Sequence, residues 1–342
     1  MNKSFVIHRG TNISHWLSQS KRRGAERREC FTSDDVSWLA DRGFDHLRIP
    51  VDEEQLWKDD ASPDNEAWDL LDAALDGCAR HGLRAIVDLH ILRSHYFNSR
   101  DGEPRLFTDP AEADRFCAFW RTLSRRLRHR PIHEVAYELM NEPVASDPAD
   151  WNRVAHVALR TLRALEPHRT ILLGSNRWNQ VQTFRELEIP ADPALMLTCH
   201  YYNPMPLTHY RAPWWTGGFY DGPVVYPGVP IPAGNFAALA PAEQAILQGE
   251  LRPHGPDTMR ADLGLALAVA REHGLPLHCG EFGCFEAAPP ALRQLWYRDL
   301  LAVFEELGIA WSSWDYRGRF GIRDANRAPT DLAGILCPTP AP

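Results

Sequence analysis

Short apolar, β-branched runs alternate with amphipathic helical stretches from one end of this chain to the other. That rhythm is the pattern of repeated βαβ units folded onto a parallel sheet. Eight runs qualify as strands: Phe5 to Ile13, Phe44 to Val51, Arg84 to His90, Val135 to Asn141, Thr170 to Ser175, Leu195 to Tyr201, Pro276 to Phe282 and Ala310 to Asp315. Each is followed by a helix or by a segment able to hold one, which predicts an α/β fold: a single (β/α)8 TIM barrel spanning residues 1–342. The length suits one such barrel, and a hydrophobic content of 44% is enough to fill its core.

The helices carry their own start and stop signals. Asp64 to His81 places Trp68, Leu71, Leu75 and Cys78 at helical spacing and stops at Gly82. Asp109, Pro110 and Glu112 supply an N-cap, a first-turn proline and a capping-box partner ahead of Phe116, Trp120, Leu123 and Leu127. Asp150 to Leu165 and Leu292 to Leu307 repeat the pattern, ended by Pro167 and Gly308. One segment breaks the rhythm. Residues 204–256 are rich in proline and glycine and lack clear periodicity, yet carry Tyr210, Trp214, Trp215, Phe219, Tyr220 and Tyr226. They read as an enlarged loop after strand six, lying over the barrel mouth.

Charge and cysteine usage narrow the partners. A formal net charge of -8 argues against nucleic acid, whose binding rests on neutralising phosphates with Lys and Arg. The basic run Lys21 to Arg28 reads as a solvated loop. No apolar run approaches a membrane span, and Met1 to Arg9 holds only the short apolar stretch Phe5 to Ile7, with no cleavable leader. The seven cysteines, Cys30, Cys78, Cys117, Cys199, Cys279, Cys284 and Cys337, are odd in number and scattered, so they read as reduced core residues. The expectation is a monomeric cytoplasmic protein, or a secreted or periplasmic one if a leader has been removed, with no bound metal or cofactor.

In a barrel of this kind chemistry sits at the C-terminal ends of the strands, so polar residues that close an apolar strand are the candidates. Arg48 closes strand two, His90 strand three, Asn141 and Glu142 strand four, His200 and Tyr202 strand six, Glu281 strand seven and Trp314 strand eight. Each alone has a structural explanation: an ion pair for Arg48, satisfied histidines at His90 and His200, a core ring at Trp314. Eight such residues at the same end of six strands do not arise by chance. Two carboxylates reaching one barrel mouth suit glycosidic cleavage, where one group protonates the leaving oxygen and another attacks or stabilises the sugar cation.

The stretches RGTNISHW from Arg9, LRIP from Leu47, DLH from Asp88, NEP from Asn141, HYY from His200, GEFG from Gly280 and WSSWDY from Trp311 occur in this order. Through them the sequence resembles glycoside hydrolase family 5, over about residues 9 to 322. The resemblance implies Glu142 as acid/base, Glu281 as nucleophile and Asn141 as the group that bonds the sugar 2-hydroxyl. It further implies that Arg48 and Tyr202 orient Glu281, that His200 bonds Glu142, that His90 lines the same sugar subsite and that Trp314 lies beneath that sugar. Asn12 and Trp16, at the end of strand one, are further candidates, as are Trp214 and Trp215 in the long loop.

The implied substrate is a β-linked oligo- or polysaccharide: first a β-1,4-glucan or its oligosaccharides, then β-mannan or β-glucosides. Carboxylates on strands four and seven should lie about 5 Å apart, the spacing of a retaining double displacement. Two readings of other classes remain at this point. A metal-dependent barrel hydrolase or isomerase would use His90, Glu142, His200 and Glu281 as ligands, although strand one has no HxH pair and no lysine closes a strand. A non-catalytic carbohydrate-binding barrel would normally have lost one of the two carboxylates, and both are here.

Overall fold

The computed structural model of the protein describes residues 4–99 and 102–337. Of the span 1–342 read as one domain, residues 1–3, 100, 101 and 338–342 therefore lie outside the described residues. Eight strands, β1 (Arg9–Asn12), β2 (His46–Asp52), β3 (Arg84–Ile91), β4 (Val135–Glu138), β5 (Ile171–Gly174), β6 (Leu195–Tyr201), β7 (Leu277–Phe282) and β8 (Ala310–Ser313), pair in parallel with their sequence neighbours. The barrel closes where β8 pairs with β1.

Several strands are shorter than the apolar runs suggest. β1 starts at Arg9, and Phe5 and Ile7 instead pack with Ile86, Ala136, Leu172 and Met196 inside the N-terminal end of the barrel. β4 ends at Glu138 and β8 at Ser313, so Asn141, Glu142 and Trp314 sit just past their strands.

Side chains alternate between lumen and helix layer. On β2, Leu47, Ile49 and Val51 join the main apolar core, whereas His46 and Arg48 meet Ser312 and Glu138 across the lumen. The expected helices form, but Glu112 makes no capping box with Asp109 and pairs instead with Arg105 at 3.2 Å. Asp64 accepts the Ala67 N–H at the start of Asn65–Arg80, and Asp109 accepts the Ala111 N–H at the start of Pro110–Leu127. The next helix, Pro148–Arg163, begins two residues before the expected Asp150 and is capped by Asp147. Pro290–Leu307 ends at Gly308 with φ 69°.

Two expectations need correction. The segment 204–256 is more ordered than a loop, because it contains the short helices Met205–Thr208, Ala233–Ala237 and Pro241–Leu247. Such helices have too few turns to leave a periodicity. The basic run is not wholly solvated either. Arg27 lies in the helix Ala25–Cys30, buried, 3.0 Å from Asp64 and 2.6 Å from Glu66, so it ties this helix to the start of Asn65–Arg80. All seven cysteines are free thiols, five of them buried. Among the described residues no helix is long and apolar enough to cross a membrane.

Low in the lumen, the Nε2 atoms of His46 and His278 lie 2.8 and 3.0 Å from Ser312 Oγ. The layer closes because Gly10 has no side chain: a Cβ there would lie 2.4 Å from His46 Nε2. Gly10→Ala should therefore destabilise the fold by about 1–3 kcal/mol, the usual cost of forcing volume into a packed interior. Urea and thermal denaturation check this. A variant as stable as the parent would mean that the layer has room to spare.

Candidate active site

β2 delivers Arg48 to the centre of the barrel mouth, where its guanidinium is completely buried. Nε and Nη2 grip Glu138 at 2.7 and 2.8 Å, and Nη2 also reaches Asp88 at 3.0 Å and Asn141 Oδ1 at 2.8 Å. Nη1 donates to Asn12 Oδ1 and to Glu281 Oε1, both at 2.8 Å. One planar cation thus ties together side chains from β1, β3, β7 and both β4 and the turn after it. Only a guanidinium has enough donors for this.

Arg48 faces three buried carboxyls, and one positive charge cannot offset three negative ones. Burial pushes the Asp88 and Glu138 carboxyls up to about 7 each, against the pull of Arg48. Their charges add to those acting on Glu142, which is raised far above the usual carboxylate range by burial first and by Glu281 second. Burial raises Glu281 as well, and the Arg48 cation and a hydrogen bond from Tyr202 offset part of that rise. The Tyr202 hydroxyl donates to Glu281 Oε2 at 2.9 Å. The proton of the pair therefore sits on Glu142, and Glu281 is the ionised partner.

Glu142 follows β4 with φ 21°, and its Oε1 lies 2.8 Å from His200 Nδ1. Burial and the Arg48 charge keep His200 neutral by moving it well below the usual histidine range. Asn179 Nδ2 stands 3.5 Å from His200 Nε2; an amide donating there leaves Nδ1 as the nitrogen that donates to Glu142. One oxygen of Glu142, one of Glu281 and a ring nitrogen of His200 all lie within 4.8 Å of one another. Three such donors could surround a metal ion. Glu281, however, is already engaged by Arg48 and Tyr202, and Arg48 places its own positive charge where a cation would act. His90 is not part of that cluster, since Asp88 Oδ2 takes its Nδ1 at 2.6 Å and Gln19 Nε2 takes its Nε2 at 2.9 Å.

A cleft of about 1110 Å³ opens above the pair. Of the residues expected from sequence, Glu142, Glu281, His200, Tyr202, Trp314, Trp214 and Trp215 line it. Arg48, Asn141, His90 and Asn12 lie buried beneath. The His90 ring is parallel to Trp314, 5.7 Å away at 5°, and Asn141 Nδ2 has no protein partner. The structure does not bring Trp16 to the site. Its indole is 1% exposed, packs on Phe31 and donates to the Arg27 carbonyl. The left-handed turn at His15, φ 53°, puts His15 on the cleft wall and Trp16 in the core.

The sequence reading missed several residues here. Asp88 and Glu138 share the inward parity of His90 and Ala136 on their strands, a signal that was available. Trp178 was not recoverable. It is 40% exposed on the cleft wall in a run, Arg177 to Asn179, of three consecutive left-handed residues, φ 53°, 62° and 54°. Such a run is costly for L-residues, and its sequence gives no warning of it.

The sequence matches the cellulase family, glycosyl hydrolase family 5, over residues 10–319. The chain is similar to Endoglucanase C of Acetivibrio thermocellus, 28% identical over 334 residues that cover 96% of this chain and 97% of the relative. It is also similar to Cellodextrinase A of Ruminococcus flavefaciens, 27% identical over 314 residues, 91% of this chain and 85% of the relative. Among solved structures, endoglucanase Cel5A from Thermotoga maritima shares the fold with a TM-score of 0.76 at 21% identity, over 97% of each chain. The Clostridial cellulose synthase subunit Z from Clostridioides difficile does so with a TM-score of 0.77 at 21% identity, over 97% of this chain and 98% of that one.

Replacing the planar fork by a single ammonium should release Asn12, Asn141 and one or more carboxylates. Arg48→Lys is expected to lower kcat/KM by on the order of 100-fold, the scale of a small misplacement of reacting groups, and to lower Tm. A folded Lys variant with parental turnover would show that the network does not position the pair.

Proposed function

This chain belongs to glycosyl hydrolase family 5, and we propose that it hydrolyses β-1,4-linked glucan or cello-oligosaccharides with net retention at the anomeric carbon. The observation that carries the mechanism is the carboxyl pair, with oxygens within 4.8 Å of each other. That spacing leaves no room for a water between them and fits double displacement. The names of the relatives, an endoglucanase and a cellodextrinase, favour a β-1,4-glucan over mannan or simple glucosides.

In the first step a Glu281 oxygen attacks the anomeric carbon while Glu142 gives its proton to the glycosidic oxygen, so that the carbon–oxygen bond breaks as the new bond forms. The shortened chain leaves with that proton. The other half stays as an ester of Glu281. In the second step a water attacks the same carbon, its proton passes to Glu142, and Glu281 departs as carboxylate. Each step inverts the carbon, and the two together retain it. Asn141 Nδ2, a buried donor without a protein partner, suits a sugar hydroxyl beside the reacting bond. Trp314 offers its ring from below, and Trp178, beyond β5, is placed to stack on the sugar that leaves.

The opposed protonation of the pair sets the pH dependence. Activity rises with pH as Glu281 ionises and falls as Glu142 loses its proton, giving a bell-shaped profile. Glu142→Gln should abolish the alkaline limb and lower kcat on cellotetraose by about 10²–10⁴-fold, the range for losing a general acid. An aryl cellobioside, whose leaving group needs no proton, should lose far less in the first step. Equal losses on both substrates, or an alkaline limb that survives, would remove Glu142 from its role. Turnover of manno-oligosaccharides in place of cello-oligosaccharides would correct the substrate.

A further inference from the structure

One buried carboxylate next to the cleft takes no part in the steps above. Asp52 closes β2, is 7% exposed, and has one oxygen, Oδ1, without a protein partner. A register shift between Val51 and Asp52 pairs Asp52 with Ile91, so His90 is skipped in the ladder. Such irregularities re-aim side chains next to active sites. Here Asp52 Oδ2 accepts the Gln19 backbone N–H at 2.6 Å, and the Asp52 N–H donates to the Leu17 carbonyl at 2.8 Å.

Those two bonds pin the turn that follows β1. Gln19 is held at φ 50°, a left-handed conformation that a glutamine does not adopt unaided. So held, Gln19 lines the cleft. Its side-chain Nε2 meets His90 Nε2 at 2.9 Å, and with Asp88 on the other ring nitrogen the imidazole is fixed parallel to Trp314. An amide that donates to His90 still has its carbonyl oxygen and a second N–H to offer.

We infer that Gln19 is a further substrate-positioning residue, bonding a hydroxyl of the sugar at Trp314, and that Asp52 is the positioning residue that sets Gln19 in place. The inference rests on the proposal that the cleft binds a β-glucan. A sugar that loses this contact is bound more weakly, and a Trp314–His90 wall that loses its brace holds the sugar less well.

Steady-state kinetics on cellotetraose, with Tm measured in parallel, test this on the parent enzyme, Gln19→Ala, Asp52→Ala, their double variant and Asp52→Asn. Gln19→Ala should raise KM about 3- to 10-fold, the worth of one hydrogen bond, with a smaller change in kcat and no change in Tm. Asp52→Ala should reproduce that rise, and the double variant should be no worse than the worse single one, as expected for residues acting in series. Asp52→Asn keeps an oxygen for the Gln19 N–H and should restore KM. Gln19→Ala with parental KM overturns the inference. So do losses that multiply in the double variant, because Asp52 then acts on binding independently of Gln19. If Asp52→Ala does not fold, Gln19→Ala and Asp52→Asn decide between the same outcomes. A parent enzyme inactive on cello-oligosaccharides would instead overturn the proposed function, whereas an active parent with parent-like variants overturns only this inference.

Discussion

A single guanidinium, buried among three carboxyls at the centre of the barrel mouth, is the interaction on which the rest of the site depends. Taking a charge out of water is costly, and removing one partner of a buried pair typically costs about 3–5 kcal/mol because the other charge is left uncompensated. Arg48 meets that cost by using its donors on Asp88, Glu138, Glu281 and two asparagine oxygens. Because the carboxyls outnumber the cation, the cluster keeps a negative bias. That bias determines where a proton must reside. Glu281 touches the cation and Glu142 does not, so the proton goes to Glu142. The two carboxyls are distinguished by which of them touches one arginine.

The barrel makes such a network possible by bringing strand ends from remote parts of the chain to one point. Its strands are short, and Glu142 and Trp314 lie just past β4 and β8, although the Trp314 N–H still donates to the Phe282 carbonyl of β7 at 2.8 Å. Side-chain contacts hold them as well: His200 on Glu142, and the parallel His90 ring beside Trp314. The lower lumen carries a second polar layer, His46, Ser312 and His278, that fills the barrel without approaching the cleft. The two layers divide the labour. The lower one packs and the upper one positions.

Much of this was legible in the sequence because the same residues satisfy two constraints. Arg48, His90, Asn141, Glu142, His200 and Glu281 each interrupt or end an apolar run, and in a parallel barrel such an interruption can face only the lumen or the mouth. The helix cap at Asp109 was readable for a similar reason, since the spacing to the helix start is local. What escaped depends on long-range or unusual backbone. Arg27 looked solvated because its partners Asp64 and Glu66 lie on a different helix. His15 and Trp16 exchanged places through one left-handed residue, and Trp178 reaches the cleft through three. The short helices of 204–256 gain their order from packing on the barrel, where Leu207, Tyr210, Tyr220, Tyr226 and Leu247 join the main core.

The central claim is that Glu281 is the ionised member of the pair and becomes covalently bonded to the sugar. It is tested most directly by incubation with an activated 2-deoxy-2-fluoro-β-cellobioside, which slows the second step more than the first, followed by mass spectrometry of the protein and its peptides. The account predicts a stoichiometric adduct on the peptide containing Glu281, with activity lost as the adduct accumulates. An adduct on another residue, or no adduct from a reagent that the enzyme turns over to the α anomer as first product, would contradict it.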